Sequence, residues 1–239
     1  MSYNPLNSTW LNPNIEYLFD DTIIEYDLRD AGFNLIKQYH LLPDEKIREL
    51  TALGKGVERH IAVGKLQRNN KEFSKALGEK FAEMRAIFIS ANNLTDNDIV
   101  SVKKDAIYTI GECNKLRFGH TLEFAKKNVY SSYIRFPNIQ NLEIYYSNET
   151  MDIKGMSDSS INRHRLYMME FIREMISLIE MKDSKAKRKM REFIKKFKSD
   201  ELDEGFYLEF NNLSKDLNPF FNYMNIIVPL TQIILKEVK

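Results

Sequence analysis

Cysteine is almost missing from this sequence. Cys113 is the only one in 239 residues, which excludes an internal disulfide framework and a cysteine-based zinc site and fits a reducing compartment. A surplus of either charge is also lacking, since 35 Lys and Arg stand against 34 Asp and Glu. With a net charge of +1 no global basic character announces nucleic acid, and any such binding has to come from local patches. Long apolar runs are absent as well. The longest, "IIVPLTQIIL" near the C-terminus, is too short to span a bilayer and is interrupted by Pro229. The opening residues, "MSYNPLNSTWLNPN", are polar and turn-rich where a signal peptide would be apolar. These absences predict a soluble, cytoplasmic protein with no membrane partner. What is present is 43% hydrophobic content, enough for one large domain or two small ones with a real core.

Patterning along the chain alternates between two periods. Residues 1–21 are rich in Asn and Pro and read as an irregular arm leading into the strand "TIIEYDL". A helix is expected from about Gly32 to His40, and Pro43 with Asp44 opens another that Gly54 stops. The stretch "GKGVERHIAVGKLQRNNK" is basic with three glycines and reads as a loop or short irregular unit. Phe73, Leu77, Phe81, Met84 and Phe88 repeat at three and four residues, which predicts an amphipathic helix with a core-facing stripe. A hairpin follows, with its turn near Lys103 and Lys104 and Asp105 at the start of the return strand. Four more β-rich runs succeed it: "LRFGHTLEFA", "VYSSYIRF", "LEIYYS" and "MDIKG", the last two joined by a turn at Asn148 and Glu149. After Ser159 the pattern turns helical. The expected fold class is therefore α+β, a β-rich centre with inserted helices followed by a helical C-terminal part.

Two acids, Asp27 and Asp105, are placed at strand ends within apolar β runs. Such an acid reads either as a solvated strand end or as a metal ligand. Two carboxylates on adjacent strands are what a two-magnesium phosphoryl-transfer site requires, because metals about 3.5–4 Å apart share bridging oxygen ligands. Hard cations take oxygen donors, and a strand tip holds a carboxylate rigidly while leaving it open to phosphates.

The order of segments then reads "EYDLRDAGFNLI", "VSVKKDAIYTI", "FAKKNVYSSYIRF", "DIKGM" and "INRHRLYMMEFIREMISLIE". In this order they resemble the palm and thumb of family B DNA polymerases over roughly residues 22–210. The resemblance implies an antiparallel palm-like sheet with packed helices over residues 22–158, with reduced fingers at about 41–93, and a small helical thumb-like region over 159–239. It implies that Asp27 is the motif A metal ligand and Asp105 the second acid of motif C, with Mg²⁺ or Mn²⁺ as cofactor. Lys126, Lys127 and Tyr130 match the Lys-Lys-x-Tyr segment that touches primer-template, and Lys154 with Gly155 matches the Lys-Gly pair. By their residues alone, Lys126 and Lys127 also read as a solvated strand start and Tyr130 as a core aromatic.

The sequence departs from the family pattern at several points. Gly32 stands where the family's sugar-gating tyrosine would align, and Lys103 replaces the first acid of motif C. The long fingers insertion with its Asn-Ser-x-Tyr-Gly element is missing from the segment between Asp27 and Asp105, and no exonuclease domain is expected. Arg59, Lys65, Arg68 and Lys71 are the candidates for binding a nucleoside triphosphate in its place; a solvated basic loop explains them equally. Two functional expectations follow: a minimal template-dependent nucleotidyltransferase, or a catalytically inactive polymerase-derived clamp or subunit whose protein partner completes the fingers. A structural or assembly protein with accidental similarity is a third. The basic run "KDSKAKRKMREFIKKFK" suits a phosphate backbone under the first two and a solvated face under the third. Compact size and a single cysteine point to a phage or mobile-element protein in its host cell.

Overall fold

A computed structural model describes residues 2–139, 142–148, 150–156, 165–203 and 224–239. The chain forms two compact units, Met1–Asn14 with Thr22–Val129, and Ile15–Asp21 with Tyr130–Lys239. The fold is α+β with antiparallel strand pairing, as the alternating periods predict. The last change of unit along the chain falls between Val129 and Tyr130, near the end of β7 (Leu122–Tyr130) and before β8 (Ser132–Phe136).

The first unit holds a six-stranded sheet of order β1-β4-β5-β3-β7-β6. Its strands are β1 (Thr9–Leu11), β3 (Ile23–Leu28), β4 (Ile99–Lys103), β5 (Ala106–Ile110), β6 (Arg117–Phe118) and β7 (Leu122–Tyr130). Helices α1 (Ala31–Gln38), α2 (Asp44–Ala52), α3 (Val57–Asn69) and α4 (Lys71–Ala91) lie between β3 and β4 in the chain. Alternation sorts the side chains of β3: Ile24, Tyr26 and Leu28 join one core with Ile107, Phe124 and the helical residues Leu35, Val63, Leu77 and Phe88. Glu25 and Asp27 therefore point to the opposite face.

Two expectations are corrected here. The Asn- and Pro-rich arm contributes an edge strand to each sheet, β1 in the first unit and β2 (Tyr17–Leu18) in the second. Strands this short show no legible alternation. The turn between them is fixed by the Asn12 side chain, which donates to the carbonyls of Asp96 (2.7 Å) and Ile99 (2.8 Å) and accepts from the amide of Asn14. The glycine-bearing basic stretch is helix α3 and not a loop. Gly54 (φ +71°) and Gly56 (φ +151°) sit in the connection before it, and only Gly64 lies inside. Its inward residues Arg59, Ala62, Val63 and Leu66 keep helical spacing.

Gly64 has open space where a Cβ would stand. Gly64→Ala is therefore expected to stabilise the chain by about 0.5–1 kcal/mol through helix propensity and backbone entropy, read as a higher urea midpoint at unchanged slope. Gly32 is different, because a Cβ there would lie 3.1 Å from Val63 Cγ1. At the position aligned with the sugar-gating tyrosine, the glycine lets α1 and α3 approach closely.

The second unit has a four-stranded sheet of order β10-β9-β8-β2, with β8 (Ser132–Phe136), β9 (Leu142–Tyr146) and β10 (Met151–Lys154). A π-helical turn at Arg165–Met169 leads into α5 (Glu170–Glu180), followed by α6 (Lys185–Lys198) and α7 (Met224–Glu237). Their apolar faces, including Ile172, Met175, Ile176, Met190, Ile227 and Leu230, close on Ile134, Phe136 and Ile144 of the sheet. Pro229 does not interrupt α7. Its missing N–H removes one intrahelical bond, while burial of Ile226, Ile227, Leu230, Ile233 and Ile234 keeps the helix packed through it. No helix among the described residues is long and apolar enough to cross a membrane. The expected helix start at residues 159–164, the Glu149 half of the β9–β10 turn and the segment 204–223 lie outside the described residues.

Candidate functional site

Register places the two acids at one end of the β3–β5 pair. Asp27 on β3 is opposite Ala106 on β5, so Asp105 follows as the turn residue just beyond that pair. The Leu28 amide donates to the Asp105 carbonyl at 3.1 Å, extending the ladder to the turn itself. Asp27 is 34% exposed at its side chain, half sheltered and still reachable. Burial pushes its pKa up, the neighbouring Asp105 charge pushes it further, and Lys127 offsets only part of this.

Lys127 comes from β7, on the other side of β3. Its Nζ lies 3.3 Å from Glu25 Oε1 and 3.6 Å from Asp27 Oδ2. Glu25 is only 2% exposed, and Asn128 Nδ2 donates to its second oxygen at 2.7 Å. Burial works to lower the Lys127 pKa, but the Glu25 and Asp27 charges outweigh it and the net shift is upward. Lys103 belongs to the same row. It pairs with Ala106, which pairs with Asp27, so Thr9, Lys103, Ala106 and Asp27 share one face. The small Ala106 separates Lys103 from Asp27 by two strand spacings, roughly 10 Å.

The remaining predicted residues fall in several places. Lys126 pairs with Glu112 at 2.6 Å on the surface. Tyr130 belongs to the second unit and is buried there, its hydroxyl donating to Asp152 and its ring 5.3 Å from that of Tyr145. Lys154 closes β10 opposite Glu143, and Gly155 follows at φ +88°. Arg59 is buried in an ion pair with Asp30 and lies 4.2 Å over the Phe33 ring. Lys65, Arg68 and Lys71 are exposed on α3 and at the start of α4. The first unit thus brings Asp27, Asp105 and Lys127 together. Glu25 was not among the expected residues, although its spacing of two from Asp27 on one strand face marks it as a neighbour.

The raised Asp27 pKa has a stability consequence. Its charged form is less favourable in the folded chain than in the unfolded one, so stability falls as pH rises from the ordinary Asp value of about 3.9 through the raised folded value. Asp27→Asn is expected to melt above the wild type at neutral pH, and the gap should close below pH 4. A melting series from pH 3 to 8 reads this directly; a variant that melts below the wild type at neutral pH, with the difference vanishing in acid, would mean that Lys127 dominates over burial and Asp105.

A sequence profile of the family described as "Bacteriophage PBS1 gene 130 protein" matches residues 3–236, which bears out the expectation of a phage protein. No curated protein matches the chain.

Proposed function

We propose that this chain, which belongs to the bacteriophage PBS1 gene 130 protein family, is a polymerase-like nucleic-acid-binding protein with a template-dependent nucleotidyltransferase site at Asp27 and Asp105. The observation that carries the reading is the placing of Asp27 at the end of β3 and of Asp105 in the turn just beyond Ala106, its partner on β5, near enough for the Asp105 charge to push the Asp27 pKa up. Their repulsion, felt in the upward shift of Asp27, is what a divalent cation relieves. Among the described residues no group of three or more His, Cys, Asp or Glu gathers to hold a metal. Mg²⁺ nevertheless binds through one or two carboxylates plus substrate phosphates, so Asp27 and Asp105 fit it. When bound, such a metal would neutralise phosphate charge and activate a primer 3′-hydroxyl. The chain's own part is to orient: Lys127 steadies Asp27 from one side, and Lys103 offers a cation to phosphates on the same face. In the second unit, α6 carries Lys185, Lys187, Arg188, Lys189, Arg191, Lys195, Lys196 and Lys198 against the single acid Glu192, which suits a nucleic-acid backbone.

The second reading is a polymerase-derived clamp without catalysis. It is favoured by Lys127, which already places a cation 3.6 Å from Asp27 where a metal charge would otherwise act. Primer extension with Mg²⁺ or Mn²⁺, on dNTPs and rNTPs, separates the two. Extension lost on replacing both acids supports the transferase; no extension by the wild type, with primer-template binding indifferent to the replacements, supports the clamp.

A further inference from the structure

Arg85 sits on α4 within the apolar stripe formed by Leu77, Phe81, Met84 and Phe88, and is only 2% exposed. Its guanidinium is spent on backbone carbonyls. Nη1 donates to the Lys104 carbonyl at 2.6 Å, while Nε and Nη2 donate to the Pro5 carbonyl at 3.1 and 2.6 Å. Lys104 is the first residue of the two-residue β4–β5 turn and Asp105 the second. Lys104 stands at φ +52°, a conformation that a non-glycine residue keeps only when its surroundings fix it. The surroundings here are identifiable. The Lys104 amide donates to the Ser8 carbonyl at 2.5 Å, its carbonyl accepts from Arg85, and the Asp105 carbonyl accepts from Leu28. The turn is held at three successive points, and the point between Lys104 and Asp105 is held by Arg85 alone among these bonds.

We infer that Arg85 is a positioning residue for the carboxylate pair: by gripping the Lys104 carbonyl and the Pro5 carbonyl together, it fixes the turn so that Asp105 stays beside Asp27. The inference rests on reading those two acids as one metal-binding pair, and it adds the device that keeps two like charges adjacent. Repulsion between the carboxylates tends to swing a free turn outward. A planar, permanently charged fork bridging two carbonyls opposes that swing, and a lysine cannot replace it because its ammonium is a point charge without the fork geometry.

The test uses the full chain and two readouts. The first is amide hydrogen exchange of wild type. The Lys104 and Leu28 amides should exchange as slowly as the Ile107 amide of β5, although Lys104 lies in a turn; fast exchange at Lys104 in the wild type overturns the inference without any variant. The second compares wild type with Arg85→Lys. Exchange at Lys104 and Leu28 should rise by about tenfold or more relative to Ile107. The dissociation constant for Mn²⁺, read by paramagnetic broadening, should rise by about 10–100-fold, the usual loss when a group supporting metal ligands is changed. A uniform rise in exchange across the sheet with Mn²⁺ binding unchanged would reduce Arg85 to core packing and overturn the inference. A wild type that binds no Mn²⁺ overturns the metal reading instead, and the exchange result then decides by itself whether Arg85 holds Asp105 in place.

Discussion

Asp27→Asn and Asp105→Asn, made singly, are each expected to lower metal-dependent primer extension by roughly 10³-fold or more, with the double variant no slower than the worse single one. The magnitude follows from what the metal supplies. Charge neutralisation at a transferring phosphate is worth several kcal/mol, and each 1.36 kcal/mol is about tenfold in rate. The non-additivity follows from the geometry, because Asp27 and Asp105 lie at adjacent positions of one strand pair and would share the same cation. Once either is lost, the other holds little that is worth removing. Both variants should remain folded, since each removes one member of a repelling pair. Lys126→Ala serves as the contrast: its partner Glu112 is a surface acid, and extension should change little. Extension that survives in the double variant would assign the activity to something other than these carboxylates.

The parts of the fold legible in the sequence are those whose signal is local. Helix α4 follows from Phe73, Leu77, Phe81, Met84 and Phe88, all of which are buried. The β4–β5 hairpin follows from alternating Ile and Val around two lysines, and its turn falls where expected. Helix α3 is masked in the sequence by the three glycines of its stretch. Two of the three lie before the helix, and the position that completes its inward face is Arg59, a residue type that reads as solvated. The strands β1 and β2 were hidden by length, since their pairing to Lys103 and to Tyr133 is long-range.

Within the site, the two acids were legible because a strand end and a hairpin turn can both be read from pattern. Their neighbours were less so. Glu25 reads as the outward residue of a half-exposed strand, yet it is buried under contacts from Lys127 and Asn128 that come from about a hundred positions later in the chain. Arg85 carried a usable signal, a charged residue inside an apolar stripe. Its acceptors, the carbonyls of Pro5 and Lys104, are invisible to any side-chain pattern.

Arg59→Met is expected to destabilise the chain by about 3–5 kcal/mol, the cost of leaving one member of a buried ion pair alone. Arg59 is 5% exposed at its side chain and Asp30 is 16%, so water cannot readily take over as partner. Asp30 also sits at φ +45° immediately before α1, three residues after Asp27, so an unpaired charge there would disturb the exit of β3. Replacing both, Asp30→Asn with Arg59→Met, should recover much of the loss, because a pair removed together leaves no orphan charge. Urea unfolding of the two singles and the double gives the coupling. The same variants sort the basic residues of this region by role. With Arg59 committed to Asp30 and stacked over Phe33, the proposed transferase would have to contact its triphosphate through exposed cations such as Lys65, Arg68 and Lys71. Arg68→Ala should therefore raise the KM for nucleotide while leaving the urea midpoint where it was. The double variant at Asp30 and Arg59 should do the reverse, keeping the wild-type KM at a lowered midpoint. A raised KM in that double variant, measured where it is fully folded, would return Arg59 to the nucleotide and remove it from the scaffold.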